Sequence, residues 1–523
     1  MDTDDLAVQA NSYASANGIQ VERRSTSDDD TANPKTYFEG APMSLLPNAY
    51  PLGAFRQAKE VAPTFNELVD RVSRDADFLQ ETLGGGVSSM DPYTAKILEL
   101  YKKVYVNDDA SESPARIADR LGIHRSDYML HRDDDDESGN NEYQLKQVEL
   151  NTIASSFAGL SCKIAKLHRY LTKRYETETK EFLESNVGKV STSTEPPQGV
   201  PSNPALEELP LGFKVAYDRY VQRFGSTTKP VILFVVQEGE TNTVDQRLLE
   251  FALWETHGIP VVRKSLTRLD SELSVDTNGA LKLTTSEGKT LEVAVVYFRA
   301  GYAPTDYPDG DDGVEWRARL TLETSRATKC PSLGYHLAGT KKVQQELARP
   351  GVLERFFQEE SDKVAAMRAC FAGLYSMGDD ATPEDLKAAG DVLDGGHAKY
   401  VLKPQREGGG YNFYGDDLAK KLKENISRGS DKDLKLSDEL AEYILMQRLF
   451  PPQQTAILMR GGRVEGQGES ISELGAFGTL VVDSEGAVVH NNYAGFLLRT
   501  KFSNVDEGGV ASGFATLSSP YLC

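Results

Sequence analysis

Residues 403–414 read Lys403-Pro-Gln-Arg-Glu-Gly-Gly-Gly-Tyr-Asn-Phe-Tyr414, and they follow directly after the short apolar run 400–402. Consecutive glycines let backbone N–H groups approach a polyanion without obstruction from a Cβ atom. Lys403 can neutralise phosphate charge, and Glu407 can hold a hard cation such as Mg²⁺ that bridges phosphate oxygens. A glycine loop on a surface hairpin is the alternative interpretation of the same residues.

A second acidic motif lies far upstream, at Gln147-Val-Glu-Leu-Asn-Thr152. Its carboxylate and amide side chains favour a site for a charged ligand over a plain surface loop. Together the two motifs indicate ATP chemistry.

The composition is that of a soluble globular protein, with 39% hydrophobic and 26% charged residues and a mean hydropathy of -0.44. A chain of 523 residues is expected to form two or three domains. No apolar run is long enough to cross a bilayer, and the acidic N-terminus lacks the basic and apolar regions of a secretory signal. Four cysteines without metal-type spacing favour a reducing compartment, so the sequence predicts a cytoplasmic location.

The formal net charge of -21 argues against nucleic acid as a partner, because a phosphate backbone requires a basic face. A small anionic ligand is still possible, since a few cations in a cleft suffice to hold it. The acidic segment 131–141 is predicted to be a solvated loop insertion, with a metal site as the alternative.

Apolar periodicity predicts helices over 55–83 and 94–106 and a linker or surface excursion over 176–209. A β-α-β unit follows, with a buried strand at 231–236, a helix at 243–257, and further strands beginning at 260 and 291. Ligand groups in such an open α/β domain are expected just beyond the strand ends, at 238–246 and 299–302. Helix capping is the alternative role for the acidic and amide residues there.

In the last third, the pattern predicts a helix over 437–450 that ends at Pro451 and a hairpin over 478–490. The segment 499–513 is predicted to be a loop that carries Arg499 and Lys501.

Common catalytic motifs are missing from the sequence. It has no Gly-x4-Gly-Lys-Ser/Thr loop, no Gly-x-Gly-x-x-Gly motif after a strand, no Gly-x-Ser-x-Gly elbow and no His-Glu-x-x-His pair. The remaining pattern is a dispersed set of lysines, glutamates and an asparagine around a glycine loop. This pattern suits ATP held between sheets, with Mg²⁺ bridging its phosphates.

Eight segments, in family order, show that the chain resembles the eukaryotic-type glutathione synthetases, which are ATP-grasp ligases. They are Arg125-Ser-Asp-Tyr-Met129, Gln147-Val-Glu-Leu-Asn-Thr152, Asp245-Gln-Arg247, Val296-Tyr-Phe-Arg-Ala-Gly-Tyr302, Leu337-Ala-Gly-Thr-Lys-Lys-Val-Gln-Gln-Glu346, 403–414, Ile471-Ser-Glu-Leu-Gly475 and Leu497-Leu-Arg-Thr-Lys501.

The resemblance implies ATP-dependent joining of γ-glutamylcysteine to glycine, through an acyl phosphate on the cysteinyl carboxylate. It implies one or two Mg²⁺ ions per subunit, ATP as co-substrate, and a homodimer. The implied fold is mixed α/β: an ATP-grasp fold with an inserted open parallel α/β substrate-binding domain and a lid. The corresponding domains are 1–228, 229–336 and 337–523.

The family's site residues transfer to this chain by position. The implied catalytic residues are Arg125, Lys403 and Arg499, and the implied metal ligands are Glu149, Asn151 and Glu407. Glu149 and Asn151 are two residues apart, so on a strand both face the same side. The implied ATP contacts are Glu149, Lys341, Lys403, Gly408, Gly409, Gly410, Asn412, Tyr414, Met446, Gln447, Leu449, Glu473 and Lys501. The implied dipeptide contacts are Arg125, Ser156, Glu240, Asn242, Gln246, Arg299, Tyr302, Arg499, Val510 and Ala511.

Two positions depart from the family pattern. Ala154 stands where serine is common, which removes one hydroxyl contact to the dipeptide. Gln447 stands where related enzymes often carry glutamate, at a place where a main-chain contact to adenine tolerates the change.

The glycine loop 408–410 and the loop 508–513 are expected to close as lids that keep water from the acyl phosphate. Two alternatives remain. The acceptor can be an amine slightly larger than glycine, such as β-alanine or serine, because one methylene changes discrimination by only about 1–3 kcal/mol. The chain can also be a non-catalytic ATP-binding homologue, although its retained carboxylates and lysines argue against this.

Overall fold

The computed structural model describes residues 3–24, 36–85, 91–107, 113–132, 143–191, 195–226, 228–404, 411–429 and 433–523. The helices in these ranges are α1 Thr3–Ala16, α2 Leu52–Ser73, α3 Ala76–Leu83, α4 Pro92–Tyr101, α5 Ala158–Arg174, α6 Glu176–Val190, α7 Ala205–Phe224, α8 Thr243–His257, α9 Leu266–Glu272, α10 Val314–Thr324, α11 Leu333–Ala338, α12 Lys341–Ala348, α13 Val352–Phe356, α14 Ser361–Cys370, α15 Pro383–Leu393 and α16 Gly415–Asn425.

The strands in the same ranges are β1 Gln20–Arg24, β2 Thr36–Gly40, β3 Met43–Ser44, β4 Asn48–Tyr50, β5 Arg120–His131, β6 Gln144–Asn151, β7 Val231–Val235, β8 Val261–Lys264, β9 Leu273–Val275, β10 Leu281–Thr284, β11 Thr290–Phe298, β12 Thr328–Cys330, β13 Leu374–Ser376, β14 Tyr400–Pro404, β15 Ile426–Arg428, β16 Leu434–Leu436, β17 Tyr443–Gln447, β18 Gln454–Arg460, β19 Arg463–Val482, β20 Val488–Phe502, β21 Thr516–Ser518 and β22 Pro520–Leu522.

Among the described residues, a mixed sheet of thirteen strands organises the fold. Its path runs β18-β3-β21-β20-β19-β5-β12-β11-β10-β9, while β6 pairs with β5 and β7 joins β8 to β11. Strands β8, β7, β11, β12 and β5 pair in parallel. Strands β18, β19, β20, β5 and β6 form antiparallel pairs. The predicted mixed α/β class is therefore confirmed.

Helices cover both faces of this sheet, and strand β7 shows why. Val231, Leu233 and Val235 pack into a core on one face, together with α2, α4 and α11. Ile232 and Phe234 pack into a second core on the other face, together with α1, α5 and α7. Because successive strand residues point to opposite faces, a strand buried on both sides needs the continuous apolar run that the sequence shows.

A separate three-stranded sheet, in the order β13-β17-β14, stands over one edge of the cavity described below. Helices α15 and α16 cover its outer face through a small core that includes Ala388, Leu402, Leu418 and Leu445. Alternation along β14 buries Leu402 in that core and turns Lys403 to the opposite side. The small sheet thus presents both a cation and an apolar surface to the cavity.

The β-α-β unit was predicted correctly. Strand β7, helix α8, strand β8 and strand β11 occupy the expected segments, and Gly258 ends α8 in the left-handed conformation. The hairpin predicted over 478–490 is also present, as the ends of the long strands β19 and β20. The division into three domains stays a prediction.

Four local predictions were wrong. The helix over 55–83 is two helices, because Asp75 caps α3 by accepting a hydrogen bond from the Phe78 amide at 2.9 Å. The linker over 176–209 contains helix α6, which Asn186 ties to Thr455 of β18 by two hydrogen bonds of 2.9 and 3.0 Å.

The helix predicted over 437–450 is a 3-10 turn followed by β17. Residues 444–446 form a short buried run, which fits a strand as well as a helix. Pairing with β13 and β14 makes this segment a strand. Arg499 and Lys501 lie on strand β20 rather than on a loop.

No helix in the described part of the chain is long and apolar enough to cross a membrane.

Candidate active site

A cavity of about 580 Å³ opens between the large sheet and the small sheet. Most of the predicted site residues meet there. They are Arg125, Glu149, Asn151, Ser156, Tyr302, Lys341, Lys403, Asn412, Tyr414, Met446, Gln447, Leu449, Glu473, Arg499, Lys501, Val510 and Ala511. Four predicted residues in the described ranges do not line the cavity: Arg299, which contacts the wall residues Ser155 and Ser156, and Glu240 with its partners Asn242 and Gln246. Glu407, Gly408, Gly409, Gly410 and the acidic segment 133–141 lie outside the described residues.

One end of the cavity carries a carboxylate among lysines, and we name it the nucleotide end after the ligand that the sequence predicts for it. Lys341 Nζ donates to Glu149 Oε2 at 3.1 Å, and Asn151 Nδ2 donates to Glu149 Oε1 at 3.3 Å. Burial alone raises the pKa of Glu149, but Lys341 and Lys403 are among the cations that outweigh it and hold this pKa well below its usual range. The carboxylate is therefore ionised and offers hard oxygen atoms to a cation.

Lys403 and Lys501 are held by backbone carbonyls. Lys403 Nζ donates to Val148 O at 3.4 Å, and Lys501 Nζ donates to Asp506 O at 2.6 Å and to Glu507 O at 2.9 Å. Burial, with Lys341 nearby, lowers the pKa of Lys403 to about 8. Burial likewise lowers the pKa of Lys501. Both ammonium groups would be better stabilised with an anion beside them.

An apolar wall closes the nucleotide end. Val401 and Met446 are buried there, with Leu449 and Tyr414 packed against them. Two protein partners fix the Gln447 side chain at this wall: its Oε1 accepts from Gly373 N at 3.0 Å, and its Nε2 lies 3.2 Å from His131 Nε2.

The other end of the cavity holds the predicted dipeptide contacts, and we name it the dipeptide end after that prediction. Arg299 Nη1 donates to Ser155 O at 2.7 Å, and Arg299 Nη2 donates to Ser156 Oγ at 2.6 Å. Ala154 and Phe157 flank these serines, and their backbone φ angles are positive, at 52° and 71°, which residues other than glycine rarely adopt. Such strain persists only where the surroundings impose it.

Hydrogen bonds join the residues beside the dipeptide end into a chain. Gln246 Nε2 donates to Glu240 Oε2 at 2.6 Å, and Arg263 Nη2 donates to Gln246 Oε1 at 2.6 Å. The backbone N–H of Asn242 donates to Glu240 Oε1 at 2.7 Å. Tyr302 on the cavity wall accepts from Gln237 Nε2 at 3.1 Å.

The two ends meet at a pair of arginines around Asp127. Arg125 donates to Asp127 through Nε at 2.7 Å and through Nη2 at 2.9 Å. Arg499 Nη2 donates to Asp127 Oδ2 at 2.8 Å and also contacts Glu473. Burial raises the pKa of Glu473, and Arg499 opposes this shift.

Four residues that this geometry singles out were not predicted from the sequence. Asp127 anchors the arginine pair. Glu507 Oε1 accepts from the backbone N–H of Asn412 at 3.4 Å. Asp245 accepts from Phe157 N at 2.6 Å and Leu160 N at 3.0 Å, which holds the strained segment, and His131 contacts Gln447. Asp127 and Asp245 both lie inside the sequence motifs quoted above. The available signal for Asp127 was its position two residues after Arg125, whose charge needs a carboxylate partner if it is buried.

A divalent cation fits the donor set of the nucleotide end. Mg²⁺ is usually held by one or two carboxylates together with substrate phosphates rather than by an all-protein cage. Glu149 supplies one ionised carboxylate and Asn151 one amide oxygen on the same face of β6. In the described part of the chain, no group of three or more His, Cys, Asp or Glu side chains is arranged to hold a metal ion.

Comparisons with known proteins agree with one another. The family model "Eukaryotic glutathione synthase, ATP binding domain" matches residues 1–522. A chloroplastic glutathione synthetase of Solanum lycopersicum is 43% identical over 482 residues, which are 92% of this chain and 78% of that protein. The Homo sapiens glutathione synthetase is 38% identical over 523 residues, covering 99% and 96% of the two chains.

A solved structure resembles the whole chain. The glutathione synthetase-like effector from Globodera pallida superposes with a TM-score of 0.68 at 23% identity, covering 99% of this chain and 96% of that chain. At this identity the likeness supports the fold.

Proposed function

The chain belongs to the eukaryotic glutathione synthetase family, and we propose that its cavity joins γ-glutamylcysteine to glycine as ATP is converted to ADP and phosphate. Membership makes the chain an ATP-dependent ligase. The single observation that carries the proposed substrates is a continuous cavity. It joins Lys341 and Lys403 beside Glu149 to the arginine pair Arg125 and Arg499.

The proposed reaction begins at the cysteinyl carboxylate. A carboxylate is a poor electrophile, so its oxygen first attacks the γ-phosphorus of ATP and displaces ADP, which gives an acyl phosphate. The glycine amine then attacks the acyl carbon, and phosphate leaves with the former carboxylate oxygen. Phosphoryl transfer between anions needs positioning and charge neutralisation more than acid–base catalysis. A cavity rich in cations supplies both.

At the nucleotide end, Lys341, Lys403 and Lys501 would bind the phosphates. Met446 and Leu449 would contact the adenine, and Glu473 the ribose or the adenine edge. Asn412, Tyr414, Gln447 and the glycine loop 408–410 complete the proposed ATP site. Glu149, Asn151 and Glu407 would hold Mg²⁺, which when bound neutralises phosphate charge.

At the dipeptide end, Arg125 and Arg499 would bind carboxylate or developing phosphate charge. Arg299, Ser156 and Tyr302 would contact the dipeptide, with Glu240, Asn242 and Gln246 at its glutamyl end. A carboxylate and an amide are suited to an ammonium group, and arginine to a carboxylate.

The acceptor amine would bind near Val510 and Ala511. Val510 is buried and Ala511 is exposed at the cavity wall. β-Alanine is the alternative acceptor, because one more methylene changes discrimination by only about 1–3 kcal/mol.

We also propose the ATP-grasp arrangement for this fold, with the parallel strands β8, β7, β11 and β12 as the substrate-binding part and lids over the cavity. A homodimer is proposed as well, on the family resemblance alone. The cytoplasmic location stays a prediction.

The test of the proposed reaction is ADP release measured with MgATP, γ-glutamylcysteine and glycine, with each component omitted in turn. The expected result is full release only when all are present, with glutathione identified by mass spectrometry. Replacement of glycine by β-alanine or serine should reduce kcat/KM. ADP release that does not depend on the dipeptide would contradict the proposal.

A further inference from the structure

Asp127 is a fully buried carboxylate that does not reach the cavity wall. It lies at the centre of strand β5 and accepts hydrogen bonds from three side chains on three strands. Two come from Arg125 on β5 and one from Arg499 on β20. The fourth comes from Asn151 on β6, at 3.0 Å. A buried carboxylate with four charge-assisted or amide bonds is held rigidly.

The sheet leaves a slot for this arrangement at Gly475 of β19, which pairs with Asp127. A Cβ atom at Gly475 would lie 2.7 Å from Asp127 Oδ1 and 2.8 Å from Arg125 Cδ. Contacts that short require a shift of the ion pair, so any larger residue at position 475 displaces it. Glycine at this point of a buried strand has a steric reason.

The geometry also fixes which arginine atoms remain for a ligand. Arg125 uses Nε and Nη2 on Asp127, and its Nη1 donates to Ser156 O at 3.2 Å at the dipeptide end. Arg499 uses Nη2, whereas its Nε is buried without a hydrogen-bond partner among the described residues. Glu473, the other partner of Arg499, itself lines the cavity. Asp127 is therefore the partner of Arg499 that a ligand cannot contact.

We propose that Asp127 is a positioning residue that fixes the guanidinium groups of Arg125 and Arg499 for the anionic reacting group of the dipeptide. This inference rests on the proposed function. Asp127 touches neither substrate and acts through the two arginines. Its loss leaves both cations in place but frees their orientation, and misplacement of about 1 Å can cost about 10²-fold in rate.

The first test compares Asp127→Asn with Asp70→Asn. Asp70 is a matched control, because it is buried and accepts from Arg120 Nε and Arg74 Nε at 2.8 Å each and from Tyr335 Oη at 2.8 Å, outside the cavity. Both variants should lower Tm. Asp127→Asn alone should reduce kcat/KM for γ-glutamylcysteine by roughly 10²-fold, and calorimetric titration should show dipeptide binding weakened more than MgATP binding, which Asp127 affects only through Asn151.

A double-mutant cycle tests whether the effect passes through Arg499. In an Arg499→Lys background, Asp127→Asn should cause less further loss than in the wild type, because the part of its effect that passes through Arg499 is already lost and only the part through Arg125 remains. A purely structural role predicts losses that multiply. Should Asp127→Asn fail to fold, Gly475→Ala keeps both charges and should still raise KM for the dipeptide by about tenfold or more.

The outcomes separate this inference from the proposed function. Wild-type protein that releases no ADP with the dipeptide and glycine overturns the proposed function and the Asp127 role that depends on it. An active wild type with unchanged dipeptide kinetics in Asp127→Asn overturns the Asp127 proposal alone. Equal kinetic loss in Asp70→Asn and Asp127→Asn also overturns it.

Discussion

The two ends of the cavity hold their cations in different ways. At the nucleotide end, backbone carbonyls hold the Lys403 and Lys501 ammonium groups. At the dipeptide end, Arg299 is fixed by a carbonyl and a hydroxyl, and Arg125 is fixed by the two oxygens of Asp127. The carbonyls leave the charge of Lys403 and Lys501 for a ligand, although Lys341 is paired with Glu149. The paired contacts of the guanidinium groups set an orientation.

This difference matches the two proposed ligands. A triphosphate presents many equivalent oxygens, so compact and rotatable ammonium charges can follow it. A dipeptide presents single carboxylate and amine groups, so planar guanidinium groups in fixed orientations can select it. The pKa directions agree with this difference. Burial lowers the pKa of Lys403. The pKa of Arg299 is raised, because interactions with neighbours such as Tyr297 and Asp245 outweigh burial.

The largest effect is expected from loss of a cation at the nucleotide end. Lys341→Met should reduce kcat by roughly 10²- to 10³-fold, as for other single groups that stabilise transition-state charge. The adjacent Lys342 gives the control, because it is buried but donates to Ser376 Oγ at 2.7 Å and Asp380 Oδ2 at 2.6 Å instead. Steady-state kinetics and thermal melts check the pair: Lys342→Met should lower Tm with a much smaller change in kcat. Similar kcat losses in both variants would contradict the assignment.

The next effect concerns orientation at the dipeptide end. Arg299→Lys keeps the charge and loses the two-donor geometry, so KM for γ-glutamylcysteine should rise roughly 10- to 100-fold while KM for MgATP stays unchanged. Arg326→Lys is the control, since Arg326 lies 3.5 Å from Glu292 and does not line the cavity. A rise in KM for MgATP as large as that for the dipeptide would remove the distinction between the two ends.

A smaller effect should appear in the pH dependence of nucleotide binding. Lys403 has a pKa of about 8 in the free protein. Bound phosphate favours the ammonium form, so binding is unimpaired below pH 8 and requires proton uptake above it. Calorimetry should show MgATP affinity about tenfold weaker at pH 9 than at pH 7. Lys403→Arg should flatten this dependence, and an unchanged slope would show that another group titrates.

The smallest effect is expected at a departure from the family pattern. Ala154→Ser adds the hydroxyl that the family resemblance predicts at this position beside the dipeptide end. A single neutral hydrogen bond contributes about 0.5–1.5 kcal/mol, so KM for the dipeptide should fall by roughly tenfold at most. Kinetics at saturating MgATP and glycine measure this. A rise in KM would mean that the strained backbone at this position, with φ 52°, rejects the larger side chain.

Local patterns predicted those parts of the fold whose sequence has one stable interpretation. The apolar run of β7 and the capped helix α8 are examples. The same holds for Glu149 and Asn151, whose spacing of two predicted a shared strand face, and their side chains do meet.

Other parts depend on long-range partners that a local pattern does not contain. Helix α6 has a composition typical of a linker and is stabilised by packing against β4 and β18. Strand β17 is set by pairing with β13 and β14. Asp127 was missed because its role comes from Arg499, 372 positions away along the chain.

The proposed chemistry can be tested most directly by following one oxygen atom. γ-Glutamylcysteine labelled with ¹⁸O in its cysteinyl carboxylate is incubated with the protein, MgATP and glycine, and the phosphate released is analysed by mass spectrometry. Activation as an acyl phosphate predicts that each phosphate carries one oxygen from that carboxylate. Phosphate without the label, formed together with peptide product, would contradict activation of the carboxylate by phosphoryl transfer in this cavity.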